Sequence, residues 1–336
     1  MTRIKQWLSK APANTMILGE HSVVYGYPAL ACALDQFINI RWQQRQDNQI
    51  HIASALANHE TDIKQLEAHS QLTFVMQALQ AFKDKLPFGL DIEIESDFSS
   101  TIGLGSSAAV LAAMLSGLNQ ITALQLSTLE LFEIGHEIIL KIQGRGSGTD
   151  LAASLAGGVI YFKPKSEQQL QPSIEKCDVS FPLCLIYAGY KTPTAEVLKL
   201  VAKQWQNRPD QLAEIYQKMG RTTDSAFKKL QVYLSDTTEQ QSLASFYSAF
   251  DHYQNLMNQL GVNDETLEKL ISNLNNCPSI HTAKISGSGL GDCVLGLGEL
   301  TDCPDMATKT LNNYQQLQVG ITTTGAETLE VTTHYE

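Results

Sequence analysis

The chain has 336 residues, of which 43% are hydrophobic and 18% charged, and its formal net charge is −11. At ~100–200 residues per domain, that length suggests two domains, each able to bury a core of its own. A surface of that sign repels nucleic-acid phosphates and anionic lipid, so an anionic ligand has to be met locally, by backbone N–H groups, a metal ion or a few cations.

The first half mixes short strands with helices. Thr15 to Leu18, Phe37 to Trp42 and Phe88 to Glu95 read as strands, the last alternating cleanly with Leu90, Ile92 and Ile94 on one face. Leu72 to Phe82 reads as a helix. A second helix, starting near Ser107, is apolar on nearly every side and so is expected to be buried. A third starts at Ser127, with Glu130 in capping-box position, and is expected to stop near Gln143, before Gly144-Arg145-Gly146-Ser147-Gly148. Val159 to Phe162 reads as a strand. The polar stretch from Lys163 to Ser173, with Pro164 and Pro172, reads as a domain transition. Beyond it come a strand at Leu183 to Tyr187 and helices at Thr194 to Gln204, Asp210 to Leu230 and Leu243 to Leu260. Strands are then expected around Ala283 to Ser286, Cys293 to Leu297 and Leu317 to Thr323. Helices on a mainly antiparallel sheet make this half α+β.

Six cysteines, Cys32, Cys177, Cys184, Cys277, Cys293 and Cys303, form no C-x-x-C pair, and several sit in apolar runs. They read as reduced, buried thiols rather than disulfides or zinc ligands. The first residues show no signal-type segment, and no stretch approaches the ~20 apolar residues of a membrane span. The cytoplasm is the expected location.

Four segments carry chemistry. Thr101-Ile102-Gly103-Leu104-Gly105-Ser106-Ser107-Ala108-Ala109 joins a strand to the apolar helix. Its glycines allow a phosphate to approach the backbone, the helix start supplies N–H groups, and two hydroxyls can bind phosphate oxygen or Mg²⁺. It lacks the Gly-Lys-Ser/Thr end of a Walker A loop. A capped helix start built for close packing is the plain alternative. Gly144 to Asp150 ends in a carboxylate that can take or order a hydroxyl proton, or simply cap the next helix. Ile285-Ser286-Gly287-Ser288-Gly289-Leu290-Gly291-Asp292-Cys293 suits an anion-binding nest, or an ordinary strand–loop–strand corner. Gly19-Glu20-His21 sets an acid beside an imidazole, fit either to hold substrate hydroxyls or to make a polar turn.

In order and spacing the four segments together resemble the GHMP kinase superfamily, over nearly the whole chain. Gly19-Glu20-His21-Ser22-Val23-Val24-Tyr25-Gly26 is similar to the mevalonate kinase version. Gln143 to Asp150 and Gly291-Asp292-Cys293 look more like phosphomevalonate kinase. The resemblance implies an α+β, two-domain architecture: a mixed-sheet N-terminal domain over 1–170, bearing the nucleotide loop and catalytic Asp, and a helix-rich, ferredoxin-like C-terminal domain over 171–336. It implies ATP and Mg²⁺ as cofactors and a small alcohol, mevalonate or phosphomevalonate, as partner, and it leaves a homodimer open. Asp150 would be the acid/base partner. Gly103, Leu104, Gly105, Ser106, Ser107 and Ala108 would bind nucleotide. Glu20, His21, Gly148, Thr149, Thr194, Ser286 and Gly287 would face the substrate, Thr194 also capping its helix. Ser107 and Glu137 would hold the metal. The family's lysine before the Gly-Glu-His turn falls on Asn14. Lys10, Lys191 or Arg145 would then serve, with Lys10 as the catalytic candidate, or Asp150 and Mg²⁺ would suffice. The competing readings are a GHMP-like binding protein that has lost catalysis and, more distantly, a nicotinamide dehydrogenase; the latter lacks the βαβ unit with a ribose-binding acid.

Overall fold

The computed structural model describes residues 4–99, 102–166, 169–177 and 179–331. Thr101, in the glycine loop, and Glu167 and Gln168, in the expected transition, lie outside the described residues. In chain order, β1 (Gln6–Leu18), β2 (Ala29–Gln44), β3 (Gln49–Ser54) and β4 (Asn58–Asp62) precede α1 (Thr73–Phe82) and β5 (Leu90–Ser96). There follow α2 (Ser106–Thr122), α3 (Thr128–Gln143), α4 (Thr149–Ala156), β6 (Val159–Lys163), β7 (Ser173–Cys177) and β8 (Leu183–Tyr187). Then come α5 (Thr194–Gln204), α6 (Pro209–Ser235), α7 (Gln240–Leu260), α8 (Glu265–Asn275), β9 (Ile280–Ser286), β10 (Cys293–Gly298), α9 (Asp305–Leu311), β11 (Gln315–Leu317) and β12 (Glu327–Val331).

Among the described residues the strands form two sheets. The larger runs β12-β1-β2-β5-β3-β4, with β6 pairing β2 and β7 pairing β6. Its β3–β5 pairing is parallel and its other pairings are antiparallel, so it is mixed. The smaller runs β11-β8-β10-β9, all antiparallel. With helices between β8 and β9 and α9 between β10 and β11, its chain order is the split βαββαβ of ferredoxin-like folds. β7 and β12, both beyond residue 170, belong to the large sheet.

The long β1–β2 ribbon is the backbone of the first layer, with Trp7 opposite Trp42 and Leu18 opposite Leu30. The Trp42 ring is buried, and its Nε1 donates to Ser9 Oγ at 2.8 Å. α2 packs on this ribbon. Leu111, Met114, Leu115 and Leu118 are all fully buried, as an all-apolar helix demands. Burying each such side chain contributes about 1.5–3 kcal/mol. The expected capping box starts α3: Ser127 and Glu130 satisfy each other's backbone N–H, and α3 ends at Gln143 with Gly144 left-handed behind it.

Two expectations fail here. Cys277 and Cys303 are joined in a disulfide, with Cα atoms 4.3 Å apart. They lie 26 residues apart in the chain, and the packing of α8 against α9 brings them together. The other four cysteines are buried. The strand expected over Leu317 to Thr323 is only Gln315–Leu317, with Ile321 making an isolated bridge to Leu34. Past Leu317 the chain turns back to the large sheet, to supply β12.

Candidate active site

A cleft of about 640 Å³ opens where the two sheets' units meet. Its walls hold the glycine loop 103–108, residues 143–151, the Glu20–His21 turn, Lys191, the start of α5, and Gly287 with Ser288. The chain crosses between walls by hydrogen bonds. Thr15 Oγ1 and Ser286 Oγ lie 2.7 Å apart, and His21 Nε2 is 2.8 Å from Ser288 O.

The glycine loop enters α2 through Gly105, left-handed at φ 67°. A Cβ there would lie 2.2 Å from Asn14 Nδ2, so only glycine lets the loop settle on β1. Asn14 is buried, donates its N–H to Leu104 O at 3.1 Å and its side chain to Ser154 Oγ at 2.9 Å. Position 14 is therefore a neutral brace beneath the loop. Ser107 stands exposed in the cleft, in the first turn of a 17-residue helix whose Ala108 and Ala109 N–H groups both donate to Gly105 O at 2.9 Å.

Asp150 lies in the first turn of α4, behind Gly148 as N-cap at φ 78°. It does not cap the helix. It projects into the cleft and is exposed to solvent there, with protein close around its carboxyl. That crowding pushes its carboxyl above the usual range, Lys191 opposes the rise and Asp292 adds to it.

The other wall is dry. Glu20 is 4% exposed, and its Oε1 lies 2.5 Å from Lys284 Nζ, a lysine with no exposure at all. Burial raises the Glu20 pKa and lowers that of Lys284; their contact opposes both shifts. Tyr253 Oη donates to Glu20 O at 2.7 Å, closing the floor. Glu20 Oε2 has no partner. His21 has φ 61°, a conformation unfavourable for a residue with a side chain. Burial lowers its pKa to about 4, so the ring is neutral near pH 7. A carbonyl only accepts, so Nε2–H donates to Ser288 O, and the partnerless Nδ1 is left as an acceptor. This wall thus carries two unfilled acceptors, one from Glu20 and one from His21.

The expected residues Gly103, Leu104, Gly105, Ser106, Ser107, Ala108, Glu20, His21, Gly148, Thr149, Asp150, Thr194 and Gly287 all line this one cleft. Three others do not. Lys10 is bound to Glu327 at 3.0 Å and lies over the Phe37 ring. It sits four strand residues from Asn14, a distance of roughly 13 Å along β1. Glu137 lies on the exposed face of α3 and is not part of the cleft wall. Ser286 is buried, its hydroxyl engaged by Thr15 and by Met16 O at 3.0 Å, so it ties β9 to β1. Thr194 lines the cleft without capping α5, whose N-cap is Pro193. Lys284 was missed. Its signal in the sequence was a lone charge within the apolar strand Thr282-Ala283-Lys284-Ile285.

The GHMP kinases N-terminal domain model matches residues 73–158, which span the glycine loop and Asp150. The mevalonate kinase of Pyrococcus horikoshii is 30% identical over 309 residues, covering 88% of this chain and 89% of that protein. The fold is shared with the crystal structure of the Methanococcus jannaschii mevalonate kinase, with TM-score 0.74 at 20% identity over 94% of this chain and 98% of that one. It is shared as well with the Streptococcus pneumoniae phosphomevalonate kinase in complex with phosphomevalonate and AMPPNP, with TM-score 0.73 at 17% identity over 93% and 98%. On likeness of sequence across nearly its full length, the chain belongs to the GHMP kinases and is an ATP-dependent small-molecule kinase.

Proposed function

We propose that this protein moves the γ-phosphoryl group of ATP onto the hydroxyl of mevalonate, forming 5-phosphomevalonate for isoprenoid precursor synthesis. The observation that carries this reading is the meeting of the glycine loop, Asp150 and the Glu20–His21 acceptors in one cleft. The acceptor's identity rests on the relative that is 30% identical over most of both chains and is named a mevalonate kinase.

The loop and the start of α2 hold the nucleotide phosphates through backbone N–H groups and the Ser106 and Ser107 hydroxyls. Glu20 and His21 line the cleft and shape the wall against which the alcohol lies. Asp150 takes or orders the proton of the attacking hydroxyl. Asp150 and the two serine hydroxyls are hard oxygen donors on one cleft, a set that fits Mg²⁺ bound by one carboxylate, phosphates and water. Glu137, facing away, is no part of that set. When bound, the ion neutralises charge on the β- and γ-phosphates.

A phosphomevalonate kinase is the second reading, favoured by the similarity of fold to one. Against it, Arg145 and Lys191 are the Lys and Arg residues on the described cleft wall, and the opposite wall presents the Glu20 carboxyl. A second phosphate would meet an acid there. An ATP-consuming reaction fits the cytoplasm, and the charge of −11 argues against nucleic acid or anionic membrane as partner. A coupled assay of ADP release, run with mevalonate and with 5-phosphomevalonate, tests the proposal. Turnover with mevalonate is expected. Turnover with phosphomevalonate alone gives the second reading, and none with either alcohol favours a silent binding protein.

A further inference from the structure

The corner between β9 and β10 is twisted into left-handed backbone along most of its length. Gly287, Gly289 and Gly291 have φ of 94°, 82° and 115°. Leu290 at 54° and Asp292 at 72° share that region although both carry side chains. Such conformations persist only where the surroundings over-determine them, and they gather at functional sites. Asp292 is held from several sides. Its N–H donates to Tyr190 O and its carbonyl accepts from Ala188 N, each at 2.8 Å. Its carboxylate lies against the glycine loop: a Cβ on Gly103 would fall 1.5 Å from Asp292 Oδ1. Its Oδ2 is 3.2 Å from Lys191 Nζ, while Oδ1 is buried with no hydrogen-bond partner.

Lys191 lines the cleft with its side chain 41% exposed, close enough to Asp150 to act on its carboxyl. The other cation of the described cleft wall is Arg145, whose guanidinium donates to Ala195 O at 2.5 Å. Asn14, on the strand beneath the loop, is neutral and bonded to Ser154. Lys191 is therefore the half-exposed cleft cation, paired with a carboxylate that itself lies against the glycine loop.

We propose that Lys191 is the cation that stabilises the phosphoryl group in flight, and that Asp292 is the positioning residue that holds it beside the glycine loop. The proposal rests on phosphoryl transfer as the reaction. In that step the acceptor oxygen bonds to the γ-phosphorus, the bond from phosphorus to the β,γ-bridging oxygen breaks, and ADP leaves with that electron pair. The acceptor proton goes to Asp150. Lys191 keeps its protons and supplies charge alone.

The test compares affinities for ADP and for an ATP analogue with an imido bridge between the β- and γ-phosphates, which needs no acceptor alcohol. In Lys191→Met the preference for the analogue is expected to fall by about tenfold, with ADP affinity unchanged; kcat for ADP release with mevalonate falls by about 10²-fold. Lys191→Arg keeps part of both. Asp292→Asn lowers kcat by itself but adds nothing to Lys191→Met, as coupled residues do. A Lys191→Met protein with the wild-type preference for the analogue overturns the proposal. A wild-type protein inactive on mevalonate overturns the acceptor assignment alone, because the nucleotide comparison still reports on Lys191.

Discussion

The two walls of the cleft use the same ingredients, carboxylates and a lysine, to opposite ends. On one wall Glu20 and Lys284 are sealed from water and from exchange, with Lys284 wholly buried. On the other, Asp150 and Lys191 stand in a cleft that solvent reaches, with Asp292 behind them. A sealed pair cannot trade partners without stranding a charge, so it sets the shape of its wall. Lys191, its side chain 41% exposed and 3.2 Å from Asp292, stays open to a phosphate in the cleft. Burial, not residue type, decides which lysine is scaffold and which is available to the reaction.

The largest expected effect lies on the open wall. Asp150→Asn should lower kcat by about 10²–10⁴-fold while ATP binding stays nearly intact, measured by ADP release and nucleotide titration. Undiminished turnover would mean that the open wall is not the reacting one. On the sealed wall, Lys284→Met leaves Glu20 as an unpaired buried charge and should cost about 3–5 kcal/mol of stability in urea unfolding. The double variant Glu20→Gln with Lys284→Met should recover much of that loss; if it is no more stable than the single variant, the pair is not the reason for the loss.

His21 sharpens the contrast through pH. Its folded pKa is lowered from 6.5 to about 4. The unfolded chain therefore binds the proton first on acidification, and the stabilisation present above pH 6.5 drains away as pH falls towards 4. The total is about 3 kcal/mol, at 1.36 kcal/mol for each pKa unit. His21→Asn should flatten that part of the stability–pH curve; an unchanged slope would assign the acid sensitivity elsewhere. The smallest effect is a control remote from both walls. Ser127→Ala removes the cap of α3 and should cost about 1 kcal/mol in thermal or urea unfolding, with kcat unaltered.

Local signals were legible where local physics rules. The Ser127–Glu130 box starts α3, the apolar run after Ser106 makes a buried helix, and β8 and α5 fall at Leu183–Tyr187 and Thr194–Gln204 as their patterns suggest. Short polar strands were not. β4, with the sequence Asn-His-Glu-Thr-Asp, carries no hydrophobic alternation and is a strand because β3 offers it an edge. β12 pairs with β1 more than 300 residues away in sequence, a partnership that no local window contains.

The site divides along the same line. The chemistry on offer is written locally: a glycine loop opening a helix, a carboxylate after a glycine turn, and an acid–imidazole pair, because turns and caps are fixed by neighbours in the chain. Which charges face one another is a matter of long-range packing, and the fold settles it. It set Lys10 on Glu327, turned Glu137 outward, buried Lys284 against Glu20 and aimed Lys191 at the cleft. A charge's worth depends on its distance to partners and to water, and folding sets both through contacts far apart in the chain.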